Sequence, residues 1–424
     1  MRECDDITSR FFEVVRWEKA LDTGVAKGLS HGVLRRLSSP EGRVALYRLI
    51  RDGEYAIGAP RAALIPKDEG AGFRTVYIND DADRVLLSIA NDLLFELTPE
   101  MVHESCKSYI SGIGCGRVVR EVSRRIVSTP VSSGGMVGWK GDLSKYFDSV
   151  AIEYIDGAFD AVESRYGRSA LIDVLRRYYH DDEYVERDGR LAHRYMSLRQ
   201  GCAVSSWLSD VILYHIDERL SSLDGFYVRY CDDMLFVGRD SERAMNVLVE
   251  ELDRMGLRLN PSKVEALRAD RWFHFLGYSI KGGMISLSPG RVRKFRRSVD
   301  RATRRSRSLV GATSRVNRLL YKGIGDYSWA RQVLPIITSE HDICCLNGYV
   351  MDALRAASTG KRRIGGLGYD ATGNDGCVVR GKGRNVLSNR QKVPHMTETF
   401  RSLGCMRKAL LTSRAAYETL VRQM

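Results

Sequence analysis

Residues 226–240 read FYVRYCDDMLFVGRD, two apolar runs meeting at a pair of adjacent aspartates, Asp232 and Asp233. Aromatic and branched residues dominate both runs, as they do in strands, so the acids fall at the connection of a β-hairpin. Neighbouring carboxylates repel each other and resist ionising together unless a cation offsets their charge. Aspartate is also an ordinary turn former. A polar turn and a cation site are therefore both open here, and the rest of the chain decides between them.

A chain of 424 residues is long enough for roughly two or three domains with ample core. Its apolar content of 44% and charged content of 28% suit a soluble globular protein. No run of about 18 apolar residues is present, and the first residues, MRECDDITSRFFEVVRWEK, lack a signal-peptide core, which predicts a cytoplasmic protein without membrane contact. The nine cysteines form no CxxC pair, so neither a zinc site nor a disulfide framework is expected. His341, Cys344 and Cys345 come nearest to a metal cluster and are read as core residues. The net charge of +13 is uneven. From residue 286 onward 27 Lys and Arg stand against 9 acids, an excess of 18, whereas the preceding residues hold 39 and 44, a deficit of five. Such asymmetry predicts a polyanion-binding region joined to a differently charged body.

Residues 1–50 carry apolar residues at helical spacing. AALIPKDEGAGFRTVYI reads as two strands around a Gly-rich turn, and residues 80–97 as an amphipathic helix. The segment 105–117 is a Gly-rich loop before another helix. In residues 136–150, MVGWKGDLSKYFDSV, a strand runs into a turn and a helix. YVERDGRLAHRY predicts a hairpin turning at Asp188-Gly189, and SSWLSDVILYHIDERLSSL a strong helix before the double-aspartate hairpin. After helix SERAMNVLVEELDRMGLRL comes a short hairpin at WFHFLGYSI with its Gly-Gly turn. Beyond 286 the pattern turns helical, and 360–394 is a basic Gly-rich loop with little periodicity.

Asp142 stands where strand VGWKG gives way to a turn, and Asp148, six residues on, reads as a helix N-cap. An acid at a strand end can face the same cleft as a neighbouring hairpin tip. Asp142, Asp232 and Asp233 together would make a carboxylate cluster for two hard cations. Two Mg²⁺ ions about 4 Å apart are the recurring solution for in-line attack on a phosphate.

With these blocks in order, the sequence resembles the reverse transcriptases, especially the bacterial group that includes retron, group II intron and defence-associated enzymes. DLSKYFD resembles their first catalytic motif, with Asp142 as metal ligand. RQGCAVSS resembles the motif that places Gln200 and Gly201 beside the incoming nucleotide and template. YCDD matches the Y-x-D-D signature and puts Asp232 and Asp233 in the metal site. GLRLNPSKV supplies Lys263, implied to donate a proton to pyrophosphate, and WFHFLGY resembles the primer-grip hairpin. PKDEGAGFR resembles the fingers block, with Lys67 and Arg74 set to meet the triphosphate. Phe147, five residues after Asp142, matches the aromatic that sits under the sugar of the incoming nucleotide and excludes a 2′-hydroxyl. The six blocks span roughly residues 60–285.

The resemblance implies an α+β right-hand polymerase: fingers and palm over 1–285, with an N-terminal helical extension over 1–50, then a helical basic thumb over 286–424. It implies RNA-directed DNA synthesis from deoxynucleoside triphosphates with two Mg²⁺ ions, on an RNA template that the cDNA product copies. An RNA-dependent RNA polymerase and a nucleic-acid-binding scaffold with an inert core are the alternatives. Arg291, Arg293, Lys294, Arg296, Arg297, Arg304 and Arg305 belong to a run of nine basic residues with one acid, Asp300, between Arg291 and Arg307. Phosphate contacts grip without reading sequence, as a copying enzyme requires. Two departures stand out: Ser206 replaces the proline that usually follows Ser205, and no V-T-G typical of retron enzymes occurs in the C-terminal region. Nothing resembles an intron endonuclease or a retroviral RNase H. By elimination the chain is most similar to a free-standing, defence-associated enzyme copying a partner non-coding RNA.

Overall fold

A computed structural model describes residues 5–24, 28–66, 72–110, 112–130, 135–304, 309–322 and 328–359. Lys67, Arg305 and the Gly-rich stretch 360–394 lie outside the described residues. The chain forms two compact units, one of residues 1–113 and 138–266, the other of 114–137 and 267–424. The division at 266–267 groups the hairpin WFHFLGYSI with the basic region, rather than with the residues that precede 286.

In the first unit, four helices open the chain: Asp6–Phe11, Val14–Gly24, His31–Ser38 and Pro40–Arg51. Asp5, Ser30 and Ser39 cap three of them by accepting a backbone N–H from the first turn. Their inward residues Phe11, Trp17, Leu34 and Ile50 are fully buried and join the same core as helices Asp81–Leu97, Ile152–Tyr166, Ala170–His180 and Val204–Val211. Phe159 and Trp207 stack there at 6.0 Å, and the Trp207 indole donates to Thr98 Oγ1 at 2.9 Å.

Two sheets complete this unit. The expected finger hairpin pairs Arg61–Pro66 with Phe73–Ile78, and extends through Glu183–Val185 to Leu191–His193. The second sheet orders its strands as Gly225–Tyr230, Asp233–Gly238, Met136–Asp142 and Glu265–Arg268. At its centre Gly138 pairs with Val237, and a Cβ there would lie 2.0 Å from the Phe236 carbonyl oxygen, so the strand accepts only glycine. The strand Met136–Asp142 leads into the short helix Tyr146–Ser149 through Lys145, at φ 51°. Asp148 does not cap it: its N–H bonds to the Lys145 carbonyl at 2.8 Å, which already places it inside the turn.

In the second unit, strands Phe273–Phe275, Tyr278–Lys281 and Met284–Leu287 form an antiparallel sheet that helix Cys115–Ser128 covers with Val118, Val122 and Ile126 buried. Helix Pro289–Arg304 carries the basic run and packs against helix Glu340–Thr359 through Val292, Phe295 and Val299 on one side and Leu346, Val350 and Leu354 on the other. This packing buries one arginine of the basic run and half-buries another. Arg296 is buried with its guanidinium 5.1 Å from the Tyr349 ring centre, and Arg291 lies 4.5 Å from that of Tyr278. Both fall on the helix's inner face by the 3.6-residue period, whereas Arg293, Lys294, Arg297 and Arg304 are exposed, Arg304 lying 3.9 Å from Asp300. His341 and Cys345 are not core residues either. His341 is exposed and Cys345 half-buried, because the helix directs Leu346 and Val350 inward instead. Among the described residues no helix is long and apolar enough to cross a membrane.

The two arginine environments predict different losses. Arg296→Ala lowers the unfolding free energy by about 1–3 kcal/mol through lost ring stacking and stem packing. Arg297→Ala stays within about 0.5 kcal/mol of the parent. Denaturant unfolding of the two variants checks this, and equal midpoints would contradict it.

Candidate active site

The pairing of two strands brings the predicted acids together. Asp142, the last residue of its strand, is the direct partner of Asp233, the first residue of the neighbouring strand. Asp232 occupies the two-residue connection between Tyr230 and Asp233, and its carbonyl accepts the Leu143 N–H at 3.3 Å. Burial pushes the carboxyl of Asp233 up to about 7, with the charges of Asp232 and Asp142 adding to the rise. Burial and then the charge of Asp142 also raise Asp232.

Lys263 answers this negative charge. Its Nζ donates to Asp142 Oδ2 at 2.8 Å. Burial opposes the ammonium, but the hydrogen bond and the charges of Asp142, Asp232 and Asp233 raise its pKa overall. A tight turn presents it: the Lys263 N–H bonds to the Asn260 carbonyl at 2.9 Å, and the Asn260 N–H bonds to the Asp142 carbonyl at 2.8 Å. The lysine and its carboxylate partner are thus tied through backbone as well as side chain.

Three carboxylates on adjoining strand ends are the oxygen donors that a hard divalent cation takes. Among the described residues, no group of three or more His, Cys, Asp or Glu side chains is arranged to hold a metal ion as it stands. In its place the Lys263 ammonium lies against Asp142 as the positive partner. The donor chemistry, and a repulsion at Asp232 and Asp233 that nearby cations offset only in part, fit a cation at this position.

The finger strand brings in further predicted residues. Arg74 is exposed on Phe73–Ile78, and its charge reaches Asp232, lowering that carboxyl against the other influences. The Gln200 carbonyl accepts the Tyr77 N–H of the same strand at 2.8 Å. Gly201 follows at φ +108°, where an added Cβ would lie 2.9 Å from the Tyr77 carbonyl oxygen. The glycine is needed for this crossing with the finger strand, a reason that the sequence does not disclose. Phe147 is half-buried, edge-on to Tyr146 at 5.7 Å, and its carbonyl accepts the Leu198 N–H at 3.2 Å.

Beneath the acids lies a group that the sequence reading missed. Arg229, three residues before Asp232, is fully buried in its strand. Its Nε donates to both oxygens of Asp217, at 2.7 and 3.0 Å, and its Nη atoms donate to the carbonyls of Ser209, Asp210 and Cys231. Asp210 and Asp217 are themselves buried, and Ser108 donates to Asp210 Oδ1 at 2.6 Å. The signals were a charged residue inside an apolar strand and two acids seven apart on an apolar helical stretch, hence on one face.

With this geometry the family is shown. The model for reverse transcriptase (RNA-dependent DNA polymerase) matches residues 65–280, half of the chain, and the chain belongs to that family. Its members use divalent metal ions, Mg²⁺ as a rule. No curated protein matches the sequence. Among solved structures it is similar to apo telomerase from Candida tropicalis, with a TM-score of 0.46 and 12% identity over 71% of this chain and 58% of that one. It is also similar to telomerase from Candida albicans in complex with a TWJ fragment of telomeric RNA, with a TM-score of 0.41 and 13% identity over 73% and 60% of the two chains. The chain spans less than two thirds of those telomerase chains.

Replacing Asp232 and Asp233 together by asparagine separates charge from shape. The variant gains about 1–2 kcal/mol of metal-free stability, because like charges no longer face Asp142 in a poorly solvated turn. It loses the rise in melting temperature that Mn²⁺ gives the parent. Thermal melts with and without Mn²⁺ check both, and a retained rise would remove these residues from the metal site.

Proposed function

We propose that the protein copies an RNA template into DNA from deoxynucleoside triphosphates, at a site built on Asp142, Asp232 and Asp233. The observation that carries this reading is the register that pairs Asp142 with Asp233 and leaves Asp232 in the connecting turn. These three carboxylates would hold two Mg²⁺ ions. Bound there, the ions would activate the primer 3′-hydroxyl and stabilise the leaving pyrophosphate.

The chain's own residues supply the rest. Lys263, hydrogen-bonded to Asp142, gives a proton to the departing pyrophosphate. Arg74 meets the triphosphate, with Lys67 as its partner in that role. Gln200 and Gly201 line the nucleotide and template side, and the ring of Phe147 stands under the incoming sugar and rejects a 2′-hydroxyl. Arg293, Lys294, Arg297 and Arg304, exposed on one helix, grip template and product phosphates without reading sequence. The template is a partner non-coding RNA, and the protein is a cytoplasmic, free-standing enzyme of phage defence. The excess positive charge after residue 286 supports a bound RNA.

Primer extension tests the reading. The parent extends oligo(dT) on poly(rA) with dTTP and Mg²⁺ and prefers dNTPs to rNTPs. Phe147→Ala keeps dNTP addition and raises rNTP addition by about tenfold or more, since a steric clash worth about 1–2 kcal/mol is removed. A fall of both activities with a stability loss of about 3–5 kcal/mol would make Phe147 a core residue alone. A parent that prefers rNTPs would make the protein an RNA polymerase.

A further inference from the structure

We propose that Ser108 is a positioning residue for the acidic turn: its buried hydroxyl holds Cys231 in the left-handed conformation that sets Asp232 and Asp233. The inference rests on the reading of those two acids as metal ligands. Cys231 is the first residue of the two-residue connection and stands at φ 55°. A side chain with a Cβ pays about 1–2 kcal/mol in that region, and glycine does not.

Two side chains hold it there. The Cys231 N–H donates to Ser108 Oγ at 3.0 Å, and the Cys231 carbonyl accepts from Arg229 Nη1 at 3.2 Å. Ser108 is fully buried and gives its own proton to Asp210 Oδ1 at 2.6 Å. A hydroxyl has one proton, so with that proton on a carboxylate it faces Cys231 as an acceptor. The bond to Asp210 thereby fixes the direction of the bond to the turn.

Backbone delivers the serine to this point. The Arg229 N–H bonds to the Ser105 carbonyl at 3.0 Å, and the Lys107 N–H bonds to the Arg229 carbonyl at 2.9 Å. The segment 105–108 thus runs beside the strand that leads into the turn, with Cys106 bridged in parallel to Arg229. Tyr109, directly after Ser108, is itself left-handed at φ 53°, where the segment bends away. Ser108 touches neither acid, so its effect reaches them through the Cys231 backbone.

A double-mutant cycle on the full chain tests this, comparing Ser108→Ala in the parent and in a Cys231→Gly background. Both dNTP-extension kinetics and the Mn²⁺ concentration that half-saturates the rise in melting temperature are read. In the parent background, Ser108→Ala lowers kcat about tenfold, leaves the dNTP KM within about twofold, and weakens Mn²⁺ about tenfold. In the glycine background the same change costs at most about threefold in each, because glycine takes the turn conformation unaided. Ser108→Thr keeps the hydroxyl and stays within about threefold of the parent, which covers the case that the alanine variant fails to fold. Equal losses in both backgrounds, or Mn²⁺ affinity unchanged by Ser108→Ala, would overturn the proposal. If the parent extends no primer, the polymerase reading fails, and the Mn²⁺ arm of the cycle still decides the role of Ser108.

Discussion

The guanidinium of Arg229, fully buried three residues before Asp232, is the interaction on which the site depends. Taking ions out of water costs several kcal/mol each, so such a cluster persists only when nearly every donor finds an acceptor. Arg229 meets that condition with the Asp217 carboxylate and three backbone carbonyls, and Tyr227 adds a hydroxyl bond to Asp217 at 3.0 Å. One arginine balances one carboxylate. Burial pushes the second acid, Asp210, up to about 6, against the opposing pull of Arg229 and the Ser108 hydrogen bond. The cluster therefore joins helices Val204–Val211 and Tyr214–Ser221 to the hairpin and locks the turn from below. Above it, Asp142, Asp232 and Asp233 are crowded together, with Asp142 hydrogen-bonded to Lys263.

Two opposite solutions to buried charge sit within one hairpin. At Arg229 the chain satisfies the charge internally and permanently. At Asp232 and Asp233 the repulsion is offset only in part, by Lys263 on Asp142 and by the charges of Arg74 and Lys140. The first is a closed structural arrangement, and the second leaves three acids close together at strand ends. The exposed cations of helix Pro289–Arg304 follow a third pattern, with charge kept in water and available to phosphates.

Much of this was legible in the sequence because its signals are local. Alternating strands around Asp232, the strand end at Asp142 and the hairpin at Asp188-Gly189 each follow from period and turn chemistry, and the strand pairing places them as expected. The helix face of the basic run was also encoded in its spacing, yet charge density alone does not show that Arg296 is buried and Arg291 half-buried. Aromatic partners supplied from elsewhere in the chain, Tyr278 and Tyr349, draw both inward. Arg229 escaped for a related reason. Its partners Asp210 and Asp217 lie on preceding helices, and Ser108 a hundred residues away from Asp210, so pairing among them is a tertiary fact. The sequence resemblance gives Gly201 a place beside the nucleotide, but its contact with Tyr77 is visible only once the finger strand is in place.

The dependence of the acidic turn on the buried guanidinium is tested most directly by Arg229→Lys, which keeps the charge and removes the planar fork. Amide hydrogen exchange is measured across residues 225–238 in parent and variant. The variant stays folded, and amides of the hairpin exchange at least about tenfold faster, equivalent to about 1.4 kcal/mol of lost local stability, with primer extension falling in step. Parent-like protection at Cys231 to Met234 together with lost extension would contradict the account, because the arginine would then not be what holds the acids in place.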